Sequence, residues 1–324
     1  MPHAIRFHKT GGPEVLQWEE VAVGDPGPGE ARIRLKAIGL NYIDTYHRSG
    51  LYALPLPSAI GREGAGVVEA VGAGVTDLAP GDRVAWTTGP LGTYAEAKIH
   101  PAERLVKLPD GISFEQAACM MLQGLTVQYL FRRTHALKAG ETILFHAAAG
   151  GVGSIACQWA KALGVEMIGT VGSDEKAKLA RELGCAHTIV YTREDFLARV
   201  KEITGGRGVP VVYDSIGKDT FMKSLDCLQP RGLVVSFGNA SGPVDAFNLG
   251  ILAQKGSLYV TRPTLDTHIG RREELLAATA ELFGHVLAGR IRIAPRQSYA
   301  LKDAAQAHRD LEARRTTGST ILVP

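Results

Sequence analysis

The run Thr142-Ile-Leu-Phe-His-Ala-Ala-Ala-Gly-Gly-Val-Gly153 leads into Ser154-Ile-Ala-Cys-Gln-Trp-Ala-Lys-Ala-Leu163. This is the pattern of an apolar strand, a turn of small residues and an Ala-rich helix. A helix starting at such a turn aims its unpaired N–H groups and the positive end of its dipole at one point, which suits a pyrophosphate. The dinucleotide fingerprint wants glycine at the turn, where backbone meets pyrophosphate, and where helix packs on strand. Those places fall on Ala148, Gly150 and Gly153, with Gly151 and Val152 between the last two. Ala148 departs from the pattern and can make the turn only with a negative φ. A second apolar run, Val165 to Val171, follows at the distance of a right-handed βαβ unit, and this context favours nucleotide binding over a plain structural turn.

The end of that second strand should choose the coenzyme. An NAD site usually carries a carboxylate there for the ribose hydroxyls. Here Gly172 leaves room, Ser173 offers hydroxyl and backbone donors, and Lys176 can neutralise a 2′-phosphate, which favours NADPH. Ser173 also reads as a helix N-cap, with Asp174 and Glu175 as first-turn acids, and the two roles are compatible.

The elements that must position these residues form two patterns. From about 140 to 261 strand and helix alternate, predicting a doubly wound parallel sheet. Ser215, Gly217, Gly238 and Asn239 then fall just past the carboxyl ends of strands, the ligand edge of such a sheet. In the first 120 or so residues, segments such as Ala31 to Ala37 alternate with period two between Pro/Gly turns, which predicts antiparallel β structure. After Pro263 the pattern gives a helix from Arg271 to Ala288, a strand at Ile291-Arg-Ile-Ala, a helix from Lys302 to about Arg314 and a strand at Thr320-Ile-Leu-Val323. Two tail strands are too few for a core of their own, so they are expected to complete the first sheet. The expected domains are therefore 1–124 with 263–324, and 125–262 inserted between them, with coenzyme and substrate in the cleft.

Composition excludes several classes. The charge of +3, from 36 basic and 33 acidic residues, is spread without a block that would track a phosphate backbone, so nucleic acid is not the expected partner. No apolar run approaches the ~18 residues that span a bilayer, and the N-terminus lacks a signal-peptide core. The expected setting is cytoplasmic, and Cys119, Cys157, Cys185 and Cys227, far apart and without a Cys-x-x-Cys pair, are expected to be buried reduced thiols.

Over essentially its whole length the chain resembles the zinc-independent quinone oxidoreductases related to zeta-crystallin, within the medium-chain dehydrogenase/reductase superfamily. The resemblance is carried by Gly61-Arg-Glu-Gly-Ala-Gly-Val-Val-Glu-Ala-Val-Gly72, Pro80-Gly-Asp-Arg-Val84, Ala147 to Gly153, Val212-Tyr-Asp-Ser-Ile-Gly217, Ser236-Phe-Gly-Asn239, Leu249-Gly-Ile-Leu252 and Lys255 to Pro263. It implies a Rossmann domain inserted in a GroES-like β-rich catalytic domain. The superfamily's metal enzymes have a Cys in the loop occupied here by Asn41 to Asp44, and Gly-His-Glu where this chain has Gly61, Arg62 and Glu63. Asn41 is a poor zinc ligand and Arg62 brings a permanent charge, so no metal is expected, and Arg62 and Glu63 are expected to form salt bridges or hydrogen bonds.

The resemblance further implies that the nicotinamide end rests against Asn41, Tyr42, Ile43, Asp44 and Tyr46, with Thr126 and Tyr129 nearby. Gly150, Gly151 and Val152 would meet the pyrophosphate, and Gly172, Ser173, Lys176 and Tyr191 the adenosine ribose and its 2′-phosphate. Ser215, Phe237, Gly238 and Asn239 would line the sheet edge. Arg262 and Arg314 would close over the coenzyme, although Arg315 stands beside Arg314 as a rival. A homodimer is implied as well, through the edge of the nucleotide-binding sheet.

Without a metal to polarise a carbonyl, an ordinary ketone is a poor hydride acceptor, whereas a quinone is already electrophilic. The expected activity is therefore NADPH-dependent quinone reduction by direct hydride transfer, without metal or flavin. Tyr46 is the first candidate donor to the quinone oxygen and Tyr52 the second, with Asn41 beside them; the competing reading is that these rings only pack. Two alternatives stand beside it: a reductase of α,β-unsaturated ketones or aldehydes, and a non-enzymatic protein that binds NADPH or RNA.

Overall fold

The alternating segment near the N-terminus forms the long strand Glu30–Leu40, whose inward residues Ala31, Ile33 and Leu35 are buried. The computed structural model describes residues 1–324 and divides into two units, Met1–Leu125 with Ile269–Leu287 and Ile293–Pro324, and Thr126–His268 with Ala288–Arg292. In the first unit a seven-stranded sheet runs in the order Pro295–Ala300, Ser319–Val323, Glu30–Leu40, Glu63–Val71, Arg83–Trp86, Val106–Lys107, with Ala97–Pro101 also paired to Glu30–Leu40. The tail thus completes the first sheet. Pairing is antiparallel except between Pro295–Ala300 and Ser319–Val323, which are parallel and joined through the helix Ala304–Glu312, as a parallel pair requires. Ile33, Ile38, Trp86, Tyr94, Ala307 and Leu322 belong to the core packed on this sheet.

The expected strand at Ile291 to Ala294 lies instead at Pro295–Ala300. Arg292 explains the shift. Its N–H donates to Gln158 Oε1 at 2.8 Å and its carbonyl accepts from Gln158 Nε2 at 3.2 Å, so a glutamine side chain takes the groups a strand ladder would use.

The second unit holds six parallel strands in the order His187–Val190, Glu166–Val171, Thr142–Phe145, Val209–Asp214, Leu228–Ser236, Tyr259–Thr261. Their centres are apolar without alternation, because helices cover both faces of such a sheet. Val211, Val212 and Tyr213 are all fully buried. The strand order reverses direction at Thr142–Phe145, the switch point where open sheets of this kind bind ligands. All four cysteines are free and buried, and no helix is long and apolar enough to cross a membrane.

Candidate active site

At the switch point the chain leaves Thr142–Phe145, turns through Ala147 to Gly150 and enters the helix Gly151–Ala162. The left-handed residue of the turn is Ala147, at φ +56°, and Ala148 keeps out of that region as the sequence demanded. Ala148 is tolerated because its neighbour across the sheet is Gly169, where an ideal Cβ would lie 2.5 Å from the Ala148 Cβ. The sequence reading missed Gly169; a glycine inside a strand was the available signal. At Gly153 a Cβ would come within 2.3 Å of the Ala147 carbonyl oxygen and 2.7 Å of the Ala148 Cα, so only glycine lets the helix sit this close.

The first bond of the helix runs from Ser154 N to Gly150 O at 2.8 Å. The N–H groups of Gly151, Val152 and Gly153 therefore have no partner within the helix, and Gly150, at φ −79°, puts no side chain over them. An NADPH pyrophosphate fits this cradle.

One strand over, Ser173 caps the helix Asp174–Glu182 by accepting from Lys176 N at 3.3 Å, with Asp174 and Glu175 in the first turn. An ideal Cβ on Gly172 would stand 3.0 Å from the Tyr191 hydroxyl, so glycine lets the tyrosine approach this strand end closely. Tyr191 is 41% exposed, and beside it Arg193 forms a bidentate pair with Asp174 at 2.5 and 2.6 Å. That pair holds the Asp174 carboxyl below its usual range. Arg193, which the sequence reading passed over, thus ties the first turn of the helix Asp174–Glu182 to the segment that follows the strand His187–Val190.

On the other side of the switch point, Ser215 and the Phe237 to Asn239 loop pack backbone to backbone. Ala240 N donates to Ser215 O at 3.2 Å, and a Cβ on Gly238 would meet that oxygen at 2.5 Å. Phe237 sets its ring 5.7 Å from that of Phe145. In the same unit Thr126 is buried, Tyr129 stacks on His268 at 4.5 Å, and Arg262 donates to Pro263 O. Burial pushes the Tyr129 hydroxyl up.

In the first unit Asn41 opens the helix Tyr42–Ser49, and Asp44 turns back to accept from Asn41 N at 2.9 Å. Tyr94 OH donates to the same Asp44 oxygen at 2.8 Å. Behind it stands His308, whose Nδ1 lies 2.9 Å from Arg48 Nη1 and whose Nε2 lies 3.2 Å from Tyr94 OH. Arginine only donates, so Nδ1 accepts, Nε2 carries the hydrogen, and the donors run in one direction from Arg48 to Asp44. Burial and the Arg48 charge lower His308 to about 3, while burial pushes Asp44 up to about 6.

The Asn41 side chain also turns inward. Its Nδ2 donates to Glu63 Oε2 at 2.6 Å and its Oδ1 accepts from Gln123 Nε2 at 3.2 Å, while Ser319 Oγ donates to Gln123 Oε1 at 2.6 Å. The other Glu63 oxygen accepts from Leu122 N at 2.8 Å. Burial pushes Glu63 up to about 8. The hydrogen-bonding role expected of Glu63 is thus filled by Asn41, and the field of Arg62 acts on Asp44. At no point do three or more His, Cys, Asp or Glu side chains converge as a metal cage.

Tyr46 stands between Tyr42 and Tyr52, with ring centroids 5.6 and 5.3 Å away and the planes edge to face. Tyr46 is buried, Tyr52 and Ile43 half-buried. Of the two C-terminal arginines, Arg315 is held by Asp310 at 3.1 Å. Arg314 adopts the left-handed conformation, at φ +58°, and its field acts on Tyr42.

Two family descriptions match the chain: alcohol dehydrogenase GroES-like domain over residues 27–110, and zinc-binding dehydrogenase over residues 151–278. A quinone oxidoreductase of Pseudomonas aeruginosa is 62% identical, with 100% of each chain covered. A 2-haloacrylate reductase of a Burkholderia species is 48% identical over 100% of this chain and 99% of its own. Among solved structures, Escherichia coli quinone oxidoreductase complexed with NADPH superposes with a TM-score of 0.98 at 55% identity, covering 99% of this chain and 100% of that one.

Proposed function

Because the chain belongs to the medium-chain dehydrogenase/reductase superfamily, and within it to the zinc-independent quinone oxidoreductases, we propose that it reduces quinones with NADPH by direct hydride transfer, using neither metal nor flavin. The observation that carries the metal-free reading is the state of Glu63. It stands where the metal enzymes place Glu after a ligand His, and both its oxygens are occupied, by Asn41 and by Leu122 N. With Arg62 in the place of that His, a cation has neither ligands nor a favourable field.

In this reading residues 125–262 form the dinucleotide-binding domain, and 1–124 with 263–324 the catalytic domain. Gly150, Gly151 and Val152 hold the pyrophosphate, Gly172, Ser173, Lys176 and Tyr191 the 2′-phosphoribose, and Ser215 with Phe237, Gly238 and Asn239 the sheet edge. Thr126, Tyr129 and Arg262 of the second unit, and Asn41, Tyr42, Ile43, Asp44, Tyr46 and Arg314 of the first, complete the coenzyme contacts. NADPH when bound supplies the hydride. Tyr46, with Tyr52 next to it, donates a hydrogen bond to the oxygen that gains charge, and Asn41 and Asp44 keep the start of the Tyr42–Ser49 helix fixed so that these hydroxyls are preorganised.

The test is NADPH oxidation with benzoquinones and naphthoquinones in the presence of a strong chelator. Undiminished turnover is expected, and activity that disappears with chelation and returns with a metal ion would remove the reading. The likeness to a 2-haloacrylate reductase favours a second acceptor class, conjugated alkenes, in which hydride goes to carbon. Catalytic efficiencies on matched quinone and enone substrates separate the two. We also propose a homodimer through the edge strand Tyr259–Thr261, where Tyr259 is 61% exposed; sedimentation at micromolar concentration checks it.

A further inference from the structure

Asp214, the last residue of the strand Val209–Asp214, is fully buried; its backbone carbonyl accepts from Phe237 N at 2.8 Å, and its carboxylate has so far been given no role. Its Oδ1 accepts from Ile216 N at 2.8 Å, Gly217 N at 3.1 Å and Thr220 Oγ1 at 2.9 Å, and its Oδ2 accepts from Thr220 Oγ1 at 2.8 Å and Ser224 Oγ at 3.0 Å. Two of these donors are backbone N–H groups of the loop that leaves the strand, so the carboxylate folds that loop back over its own strand end. The loop is tight elsewhere too: Gly217 holds φ +91°, and a Cβ there would meet Gly242 O at 2.5 Å.

Asp214 also anchors a chain that crosses the sheet. Ser224 Oγ spends its hydrogen on Asp214, so at its 3.0 Å contact with His146 it must accept, which puts the hydrogen on His146 Nε2. His146 Nδ1 then accepts from Thr170 Oγ1 at 2.9 Å. Thr170, His146 and Asp214 stand at the ends of three adjacent strands, in sheet order. The first of these strand ends leads to Gly172 and Ser173, the second to the Ala147 to Gly153 turn, and the third to Ser215 to Gly217.

Given the proposed NADPH site, the 2′-phosphoadenosine half lies past the first strand and the pyrophosphate past the second, which leaves the third for the nicotinamide half. We propose that Asp214, braced by the Ser224–His146–Thr170 chain, is a positioning residue that shapes the Ser215 to Gly217 loop for the nicotinamide half of the coenzyme. The proposal rests on the NADPH reading and deepens it. Its signature is an asymmetry: loss of Asp214 weakens the whole dinucleotide and spares the adenosine fragment.

The experiment titrates wild type, Asp214→Asn, Asp214→Ala and Ser224→Ala with NADPH by fluorescence and with adenosine 2′,5′-bisphosphate by calorimetry. For both Asp214 variants NADPH is expected to bind about tenfold or more weakly, the effect of losing charge-assisted hydrogen bonds, while the bisphosphate holds within about twofold. Ser224→Ala keeps the bonds from Asp214 to the loop and removes the bracing, so it should show the same asymmetry at about two- to fivefold. Bisphosphate binding itself reports a folded nucleotide unit; should both Asp214 variants fail to fold, Ser224→Ala decides. Parallel losses of the two ligands, or no loss of NADPH in the variants that fold, would overturn the proposal. A wild-type protein that binds neither ligand would instead remove the NADPH reading beneath it.

Discussion

Replacing Ala147 by glycine should make the protein more stable, against the usual direction for glycine inside a βαβ unit. Ala147 holds φ +56°, where an L side chain crowds the following carbonyl. That conformation costs roughly 1–2 kcal/mol for a residue with a Cβ. Glycine removes the crowding and regains about 0.4–1 kcal/mol of freedom in the unfolded chain, which opposes the gain. The balance is a stabilisation of about 0.5–1 kcal/mol, or a rise of about 1–4 °C in the melting temperature of a unit this size. Calorimetric melting of both proteins at pH 7, with and without NADPH, measures it. The backbone path is unchanged, so the NADPH dissociation constant should stay within about twofold, less than 0.5 kcal/mol. A lower melting temperature, or a tenfold weaker dissociation constant, would show that the alanine methyl supports the turn and that the strain argument is mistaken.

Gly153→Ala should act the other way: its Cβ meets only backbone, 2.3 Å from Ala147 O, so the helix must move outward at a cost of about 1–3 kcal/mol, with NADPH affinity falling in a titration of the folded variant. Lys176→Ala should cost NADPH about 1.5–3 kcal/mol of binding, the worth of a charge-assisted hydrogen bond, and leave NADH unchanged; equal losses would deny the lysine a phosphate-reading role. Glu63 should make stability depend on pH. Its folded pKa, about 8, lies above the ordinary carboxyl value of 4.5, so between the two the folded state binds more protons and this contribution to stability falls as pH rises. Denaturant titrations from pH 5 to 9 should therefore show Glu63→Gln gaining on wild type with rising pH, and a pH-independent difference would refute the assignment.

The nucleotide-binding half was legible because its signals are local. An apolar run, a cluster of small residues and an Ser-Asp-Glu cap sit within a few positions of the backbone they shape, so Gly150, Gly153 and Ser173 could be placed from spacing alone. Arg193 was less visible, since its salt bridge to Asp174 forms only because two parallel strands end side by side. Tertiary structure alone decided the rest. Ala148 is acceptable because Gly169 faces it from the next strand, and the strand expected at Ile291 moved because a glutamine on another element took the backbone groups of Arg292. Tyr94 meets His308 across 214 positions, and Arg48 meets it across 260. Such hydrogen bonds leave no periodicity in the chain. Burial makes each of them obligatory, yet only the folded backbone determines which donor reaches which acceptor.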